Sequence, residues 1–296
     1  MSDTKMTEFT NAISALHSSN IGATVTTFTK MAEAAPQALT ILAEGDSWFA
    51  YPRDSILWGK NANIIHWLKN NPKLVIHATA TNGDEAVNMM SGVSKFGLLK
   101  EISVRTYDVL LFSGGGNDIV GAYDFDFFLR DRQQVSSWQD GIDMDRFTRR
   151  LASVVNSYED LLDYAEEYSK NKNIVVVTHT YDSPVPNPKG ASFVGGLLKY
   201  DGARSWMYPY LMAKHFTDRQ EQINISTYML NQLAEKLLYL SDTHKGRLVV
   251  VNTQGQLGDH EWLNEIHPDS TGFQRIADKI FFDALEPLYN RKNGTV

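Results

Sequence analysis

Five short apolar runs, separated by helix-like segments, constrain the fold of this 296-residue chain more than any other feature. Each run is rich in Val, Ile and Leu and lacks alternation, which is typical of strands covered on both faces. The predicted strands are Leu39–Ala43, Lys73–Ala78, Asp108–Phe112, Asn173–Val177 and Arg247–Val251. Strands that alternate with helices form βαβ units, so the pattern predicts an α/β fold with a parallel sheet between helical layers.

Between the runs, apolar residues recur at spacings of three and four, which indicates helices with one buried face. These stripes extend from Phe147 to Ala165, from Met229 to Leu238 and from Phe273 to Leu288. The sequence has neither an internal repeat nor a low-complexity linker, so residues 1–296 are predicted to form a single domain.

Three segments fit this alternation poorly. Residues 1–38 are predicted to be an N-terminal helical extension, and residues 122–145 and 182–216 are predicted to be loop insertions near the site. Long loops at strand exits often cover or line a binding site. The first loop holds Asp124, Asp126, Asp131, Asp140, Asp143 and Asp145. Their spacing does not match an EF-hand, so we expect a solvated loop and no metal.

The composition argues against several classes of function. A net charge of −7 supplies no positive field for nucleic acid or an anionic membrane. The absence of cysteine excludes disulfides and thiol catalysis. No apolar run approaches the ~20 residues that span a bilayer, and residues 1–35 lack the regions of a signal peptide. We therefore expect a cytoplasmic protein with no integral membrane segment, although export without a cleaved signal stays open.

Residues that carry chemistry lie at the exits of these strands. Gly45-Asp46-Ser47-Trp48 follows the first strand, Gly83 follows the second, Gly115-Gly116-Asn117-Asp118 follows the third, and His267-Pro268 precedes the last helix. Ligands of open parallel sheets bind beyond the carboxyl ends of the strands. A serine, a histidine and an amide donor can act there as nucleophile, general base and oxyanion donor. Their joint placement predicts a hydrolytic serine site.

Each of these residues also has a structural interpretation. Ser47 could cap a helix, Asn117 could belong to a Gly-Asn turn, and His267 could be a structural histidine. His179 follows the fourth strand and competes for the role of base, but we interpret it as a pocket residue. The predicted substrate pocket comprises Asp46, Trp48, Asp118, His179 and Tyr181.

Taken together, these motifs resemble the four blocks of the SGNH/GDSL hydrolase superfamily over nearly the whole chain. The resemblance implies a flavodoxin-like three-layer α/β/α sandwich with strand order 2-1-3-4-5. It also implies a serine hydrolase that cleaves carboxylic esters without a cofactor or metal. Its oxyanion hole would comprise the Ser47 N–H, the Gly83 N–H and the Asn117 amide. The substrate could be a small-molecule ester, a lipid or an acylated sugar.

One position departs from the family pattern. The family usually has an aspartate three residues before the histidine, and here Asn264 occupies that position. An aspartate-to-asparagine change at the orienting position of a serine protease costs roughly 10⁴ in turnover, because the histidine tautomer is wrong. Glu265, Asp259 or a backbone carbonyl could orient His267 instead. Two alternatives to the esterase therefore stay open, an O-acyltransferase and a weakly active or inactive binding module.

Overall fold

The computed structural model describes residues 25–51, 62–188, 205–258 and 260–295. These residues contain a parallel sheet whose five strands are ordered β2-β1-β3-β4-β5. The strands are β1 (Leu39–Gly45), β2 (Leu74–Ala78), β3 (Val109–Ser113), β4 (Val175–His179) and β5 (Leu248–Val251). The predicted α/β/α class and strand order are confirmed.

Strands β1 and β4 continue two residues beyond the apolar runs that predict them. In the register of the sheet, Gly45 pairs with Ser113 at the end of β3, and His179 pairs with Val251 at the end of β5. The polar exit residues are thus part of the ladder. Because parallel strands end at the same edge, this register gathers the residues that follow β1, β3 and β4 at one place.

The helices form two layers. The first layer contains α4 (Ala86–Met89), α5 (Gly92–Val104), α6 (Gly116–Val120), α8 (Met144–Tyr168) and α10 (Arg219–Thr243), which pack through α8 and α10. The second contains α3 (Ile64–Leu68), α11 (Ser270–Ile280), a π-helical turn (Phe281–Leu285) and α12 (Glu286–Lys292). The remaining helices are α1 (25–34), α2 (Ser47–Ala50), α7 (Ala122–Phe127) and α9 (Tyr208–Ala213). Between the layers lies a core of buried aliphatic and aromatic side chains.

Aspartates begin the long helices. The carboxylates of Asp143, Asp218 and Asp269 accept the N–H groups three residues ahead, at 3.2, 2.9 and 2.8 Å. These bonds satisfy donors that a helix start leaves free, and each cap is typically worth about 1 kcal/mol. Asp143, a member of the predicted acidic loop, therefore has a structural use as the cap of α8.

The predicted insertions are more regular than expected. Residues 122–145 include α7 and a 3₁₀ turn at Arg132–Gln134, because Phe125 and Phe128 are buried against the core and need a helical turn to reach it. Within 182–216, residues 189–204 lie outside the described residues, and the part after them contains α9. In the N-terminal extension, residues 25–34 are helical, and 1–24 lie outside the described residues. Across the described ranges, no helix has the length and apolar character needed to cross a membrane.

Candidate active site

Ser47 is the first residue of α2, directly beyond the carboxyl end of β1. The carboxylate of Asp46 caps this short helix by accepting the Trp48 N–H at 3.0 Å. A side chain at Gly45 would place its Cβ 2.7 Å from the carbonyl oxygen of Ser113, so the close pairing of β1 and β3 requires glycine here. Ser47 is 3% exposed, and its position is thus fixed by the strand, the cap and the neighbouring strand.

His267 lies in the loop before α11, and its Nε2 is 2.7 Å from Oγ of Ser47. The imidazole is 2% exposed, and burial lowers its pKa to about 3. The ring is therefore neutral near pH 7 and has one nitrogen free to accept a proton. The structure brings the predicted nucleophile and the predicted base into direct contact across 220 residues of sequence.

Asn264 orients the imidazole through its amide oxygen. The Oδ1 atom accepts from the N–H groups of Ile266 and His267, at 3.1 and 3.0 Å, and lies 3.1 Å from Nδ1 of His267. The amide nitrogen lies 3.3 Å from the hydroxyl of Tyr51. Two backbone donors on one atom identify it as the oxygen, so Nδ1 must carry the proton of His267. This tautomer leaves the Nε2 lone pair facing Ser47.

The other candidates for orienting His267 are placed differently. The carboxylate of Glu265 accepts the backbone N–H groups of Met207, Tyr208 and Asn187, at 2.8, 2.8 and 3.2 Å. It is fully buried, and burial raises its pKa to about 7. Glu265 therefore hydrogen-bonds to the backbone of a neighbouring segment and does not orient the imidazole. Asp259 lies outside the described residues.

Asn117 and Gly83 meet at the exits of β3 and β2. The Asn117 amide donates to the carbonyl of Asp84 at 2.9 Å, which leaves its second N–H hydrogen available. Gly83 immediately precedes Asp84 and has φ +90°, a conformation that favours glycine. Asp118 fixes the same turn, because its carboxylate accepts the Ala86 N–H at 2.7 Å. Asn117 thus links the Gly83 turn to the cleft that contains Ser47.

A cleft opens between these elements. Asp46, Ser47, Trp48, Gly116, Asn117, Val120, Tyr181, Asp182, Pro184, Leu230 and Ile266 line it. Three of the five predicted pocket residues, Asp46, Trp48 and Tyr181, line it. His179 does not, but its ring stacks on that of Trp48 with centroids 5.4 Å apart. Asp118, the fifth, is fully buried.

Trp48 joins the nucleophile turn to the histidine loop. Its indole N–H donates to the carbonyl of Ile266 at 3.2 Å, next to His267. His179 lies under the indole, fully buried, and contacts Ser113 rather than Ser47. Burial lowers the pKa of His179 to about 4. Of the two histidines considered as the base, only His267 reaches Ser47 within the described residues.

Two aromatic residues, one near a predicted strand exit and one in the long loop, enclose the imidazole. The Tyr51 ring lies 4.2 Å from the His267 ring, and the Trp206 ring lies 5.4 Å from it at a steep angle. Tyr51 stands four residues after Ser47, and its N–H donates to the Ser47 carbonyl at 2.7 Å. The sequence predicts that both residues could line a pocket or pack in the core, and their contacts with His267 place them beside the candidate base.

No protein-family model and no curated protein match this chain. Among solved structures, the chain is similar to the lipase Lip_vut3 from a goat rumen metagenome, with 15% identity and a TM-score of 0.57. That match covers 86% of this chain and 100% of the lipase. At this identity the match shows that the two proteins share a fold. The chain has the three-layer α/β/α fold of this lipase.

Two further solved structures are similar over comparable lengths. One is a GDSL-like lipase from Bacteroides thetaiotaomicron VPI-5482, with 12% identity, a TM-score of 0.47 and coverage of 90% of this chain and 98% of that one. The other is phospholipase A1 from Streptomyces albidoflavus NA297, with 13% identity, a TM-score of 0.46 and coverage of 86% and 99%. At these scores the two add nothing to the assignment of the fold.

Proposed function

We propose that this protein is a serine hydrolase that cleaves carboxylic esters, with Ser47 as nucleophile and His267 as general base. One observation carries the proposal. The Nε2 atom of His267 lies 2.7 Å from Oγ of Ser47, and Nδ1 lies 3.1 Å from the Asn264 oxygen. A base that contacts the nucleophile and is oriented by a third group is the arrangement that activates a serine.

The reaction follows from these contacts. Ser47 Oγ attacks the ester carbonyl carbon while its proton passes to Nε2 of His267. The carbonyl oxygen becomes an oxyanion, for which the N–H groups of Ser47 and Gly83 and the free hydrogen of the Asn117 amide are the proposed donors. When the ester C–O bond breaks, His267 returns the proton to the leaving alcohol. Water, deprotonated by His267, then attacks the acyl carbon. The bond to Ser47 Oγ breaks, Oγ takes the proton from His267, and the carboxylic acid leaves.

The cleft supports an acyl substrate. Its lining includes the apolar side chains of Val120, Leu230 and Ile266 as well as the polar groups around Ser47, and its accessible volume is about 20 Å³, so only the part of the acyl group next to the reacting carbonyl fits inside. An apolar wall beside a few polar groups suits an acyl chain with one reactive carbonyl. We propose an ester, a lipid or an acylated sugar as substrate, with the acyl part against this wall.

Asn264 favours a second candidate function, a weakly active or inactive binding module. An amide orients the imidazole but supplies no negative charge for the imidazolium that forms during attack. With the pKa of His267 lowered to about 3 by burial, accepting the serine proton is costly. The same fold could then retain the cleft for binding while turning over slowly.

The test is labelling by a fluorophosphonate probe together with hydrolysis of p-nitrophenyl esters of increasing chain length. We expect labelling and turnover in the wild type, and loss of both in Ser47→Ala and His267→Ala. Ser103→Ala is the matched control, because Ser103 is exposed on α5 and bonds only locally to the Lys100 carbonyl in the described structure. Labelling at another serine, or none in a folded wild type, would rule out the esterase.

A further inference from the structure

A buried polar cluster lies behind Ser47 and has no part in the proposed reaction. Its members, Asp46, Ser113, His179 and Tyr181, are at most 5% exposed. They come from the ends of β1, β3 and β4 and from the residues that follow them. We call these four residues the Asp46 cluster. Buried polar groups are expected to have every hydrogen bond made, so the protons of this cluster can be counted.

Four contacts join the side chains of the Asp46 cluster. In the longest of them, Oγ of Ser113 lies 3.1 Å from the Tyr181 hydroxyl. Oδ2 of Asp46 lies 2.5 Å from the Tyr181 hydroxyl, and Oδ1 lies 2.8 Å from Oγ of Ser113. Oγ of Ser113 lies 3.0 Å from Nε2 of His179. The other ring nitrogen, Nδ1, lies 2.9 Å from the carbonyl oxygen of Thr180. A carbonyl can only accept, so Nδ1 of His179 carries a hydrogen.

The ordinary protonation states leave this set one proton short. A neutral His179 that donates from Nδ1 has a bare Nε2, so the Ser113 hydroxyl must donate to it. The Tyr181 hydroxyl donates to Oδ2 of Asp46. The 2.8 Å contact between Ser113 and Oδ1 of an ionised Asp46 would then hold no hydrogen. One further proton, on Asp46 or on His179, gives that contact a hydrogen and leaves only the longer contact between Ser113 and Tyr181, at 3.1 Å, without one.

We propose that this additional proton resides on Asp46 and is hydrogen-bonded through Ser113 to His179. Asp46 is therefore an uncharged carboxylic acid behind the nucleophile. In this arrangement the Asp46 O–H donates to Ser113, and the Ser113 O–H donates to Nε2 of His179. The opposite placement, an imidazolium paired with a carboxylate, would bury two charges in place of none.

The surroundings favour the uncharged form. In the described part of the chain, none of the groups that shift the pKa of Asp46 is a cation, and Asp118 on α6 adds a like charge. Tyr158 on α8 and Tyr181 are the other titratable groups in the described residues that interact electrostatically with Asp46. Burial raises the pKa of Asp46 to about 6 and lowers that of His179 to about 4. Both directions place the proton on the carboxyl.

The proton has a consequence for turnover, which rests on the proposed function. Asp46 lines the same cleft as Ser47 and Asn117, where the oxyanion would form. An ionised Asp46 would oppose that negative charge, whereas a neutral one does not. Below about pH 6, Asp46 is thus a positioning residue that caps the Ser47 turn without placing a charge behind it. Ester turnover should fall about tenfold as Asp46 ionises.

The direct test reads the proton without any substrate. Carbon-13 NMR of protein labelled at aspartate Cγ should show the Asp46 carboxyl protonated at about pH 5, where an ordinary aspartate is ionised. Asp46→Asn identifies the resonance. Nitrogen-15 NMR of His179 in the same wild type should show a neutral ring with hydrogen on Nδ1. A carboxylate at Asp46 with a neutral His179 overturns the additional proton, and an imidazolium overturns its placement.

Ser113→Ala distinguishes two explanations for the proton on Asp46, the hydrogen bonds through Ser113 and burial alone. The variant removes the hydroxyl that links the carboxyl to the imidazole. We expect the pKa of Asp46 to fall in this variant, because its O–H loses its acceptor, but to stay above the ordinary aspartate value, because the carboxyl remains buried. An unchanged Asp46 resonance in folded Ser113→Ala would show that burial alone retains the proton. Should Ser113→Ala not fold, the wild-type carbon and nitrogen spectra still decide the proposal.

The pH dependence of kcat/KM tests the link to turnover. In the wild type it should fall as pH rises through about 6, and in Asp46→Asn, which has no ionisable group there, this fall should be absent. Identical profiles would overturn the effect of the proton on turnover. A wild type inactive on every ester would refute the proposed function, while the NMR result would still decide where the proton lies.

Discussion

Nδ1 of His267 lies 3.1 Å from the amide oxygen of Asn264, an atom that also accepts two backbone N–H groups. An asparagine in this position could present either its oxygen or its nitrogen to the imidazole. The backbone donors of Ile266 and His267 determine that it presents the oxygen. Asn264 therefore gives the tautomer that a general base needs but not the charge that stabilises its protonated form.

Replacing Asn264 by aspartate should raise kcat on a p-nitrophenyl ester by about tenfold. A hydrogen bond to a charged group is worth about 1.5–3 kcal/mol, against about 1 kcal/mol for a neutral one. The new carboxylate keeps the three donors on its first oxygen, and the Tyr51 hydroxyl can donate to the second. The change should also raise the pKa of His267, because an anion favours the imidazolium.

The double variant Tyr51→Phe/Asn264→Asp is the control, since it removes the hydroxyl that satisfies the second carboxylate oxygen. It should recover less activity than Asn264→Asp alone. A wild type that turns over as fast as Asn264→Asp would show that another group already supplies the charge. Turnover confined to Asn264→Asp would favour the binding module.

The buried, neutral His267 should make folding sensitive to acid. Its pKa in the folded chain is about 3, below the ~6.5 of an unfolded histidine, so only the unfolded state binds this proton between those values. The stability it contributes is complete above pH ~6.5 and is lost as pH falls toward 3. Urea unfolding of the wild type should lose about 2 kcal/mol more than His267→Gln between pH 7 and pH 5. Equal losses in the two proteins would contradict the burial of a neutral ring.

Glu265→Gln should lower the free energy of unfolding without changing the contacts of Ser47. Both carboxylate oxygens of Glu265 accept backbone N–H groups, so an amide must place its NH₂ against one of these donors. A buried donor left without an acceptor costs about 1–3 kcal/mol. Urea unfolding measures this loss, with Glu286→Gln as control, because Glu286 forms a partly exposed pair with Lys73. Equal midpoints for the two variants would show that the backbone contacts of Glu265 contribute little.

Asn117→Ala should lower kcat by about 10²–10³ with little change in KM, because an oxyanion donor acts on the transition state more than on the bound ester. Asn88→Ala is the matched control, since Asn88 is exposed and bonds to the side chain of Glu85. A loss in KM alone would place Asn117 in substrate binding and remove it from the proposed oxyanion hole.

The fold could be predicted because its signal is local. An unbroken apolar run such as Val109–Phe112 has few alternatives to a buried strand. The predicted ends of the strands were less accurate, since Gly45 and His179 join the sheet through pairing with strands that are distant in sequence. Helix α10 begins at Arg219, well before the stripe that starts at Met229, because Gln222 and Ser226 are buried polar residues that break the apolar pattern.

Site residues that belong to sequence motifs could be predicted. The contacts that other parts of the folded chain make with them could not. Ser47 and His267 stand in recognisable segments, and the structure brings them together. The substitution at Asn264 was visible, but the orientation of its amide depends on backbone donors that only the folded loop provides. The pairing of Asp46 with Ser113 joins two strand ends that are 67 residues apart.

The contact between Ser47 and His267 also bears on how the chain folds. Because 220 residues separate them, the contact between Ser47 and His267 cannot form until the loop before α11 reaches the end of β1. Contacts this distant in sequence carry a large loop-closure cost and form late. During synthesis, a nascent chain that has emerged only as far as β4 holds the serine without its base. Covalent labelling of Ser47 would therefore time the completion of the tertiary structure, and would separate finished molecules from collapsed intermediates that already contain the sheet.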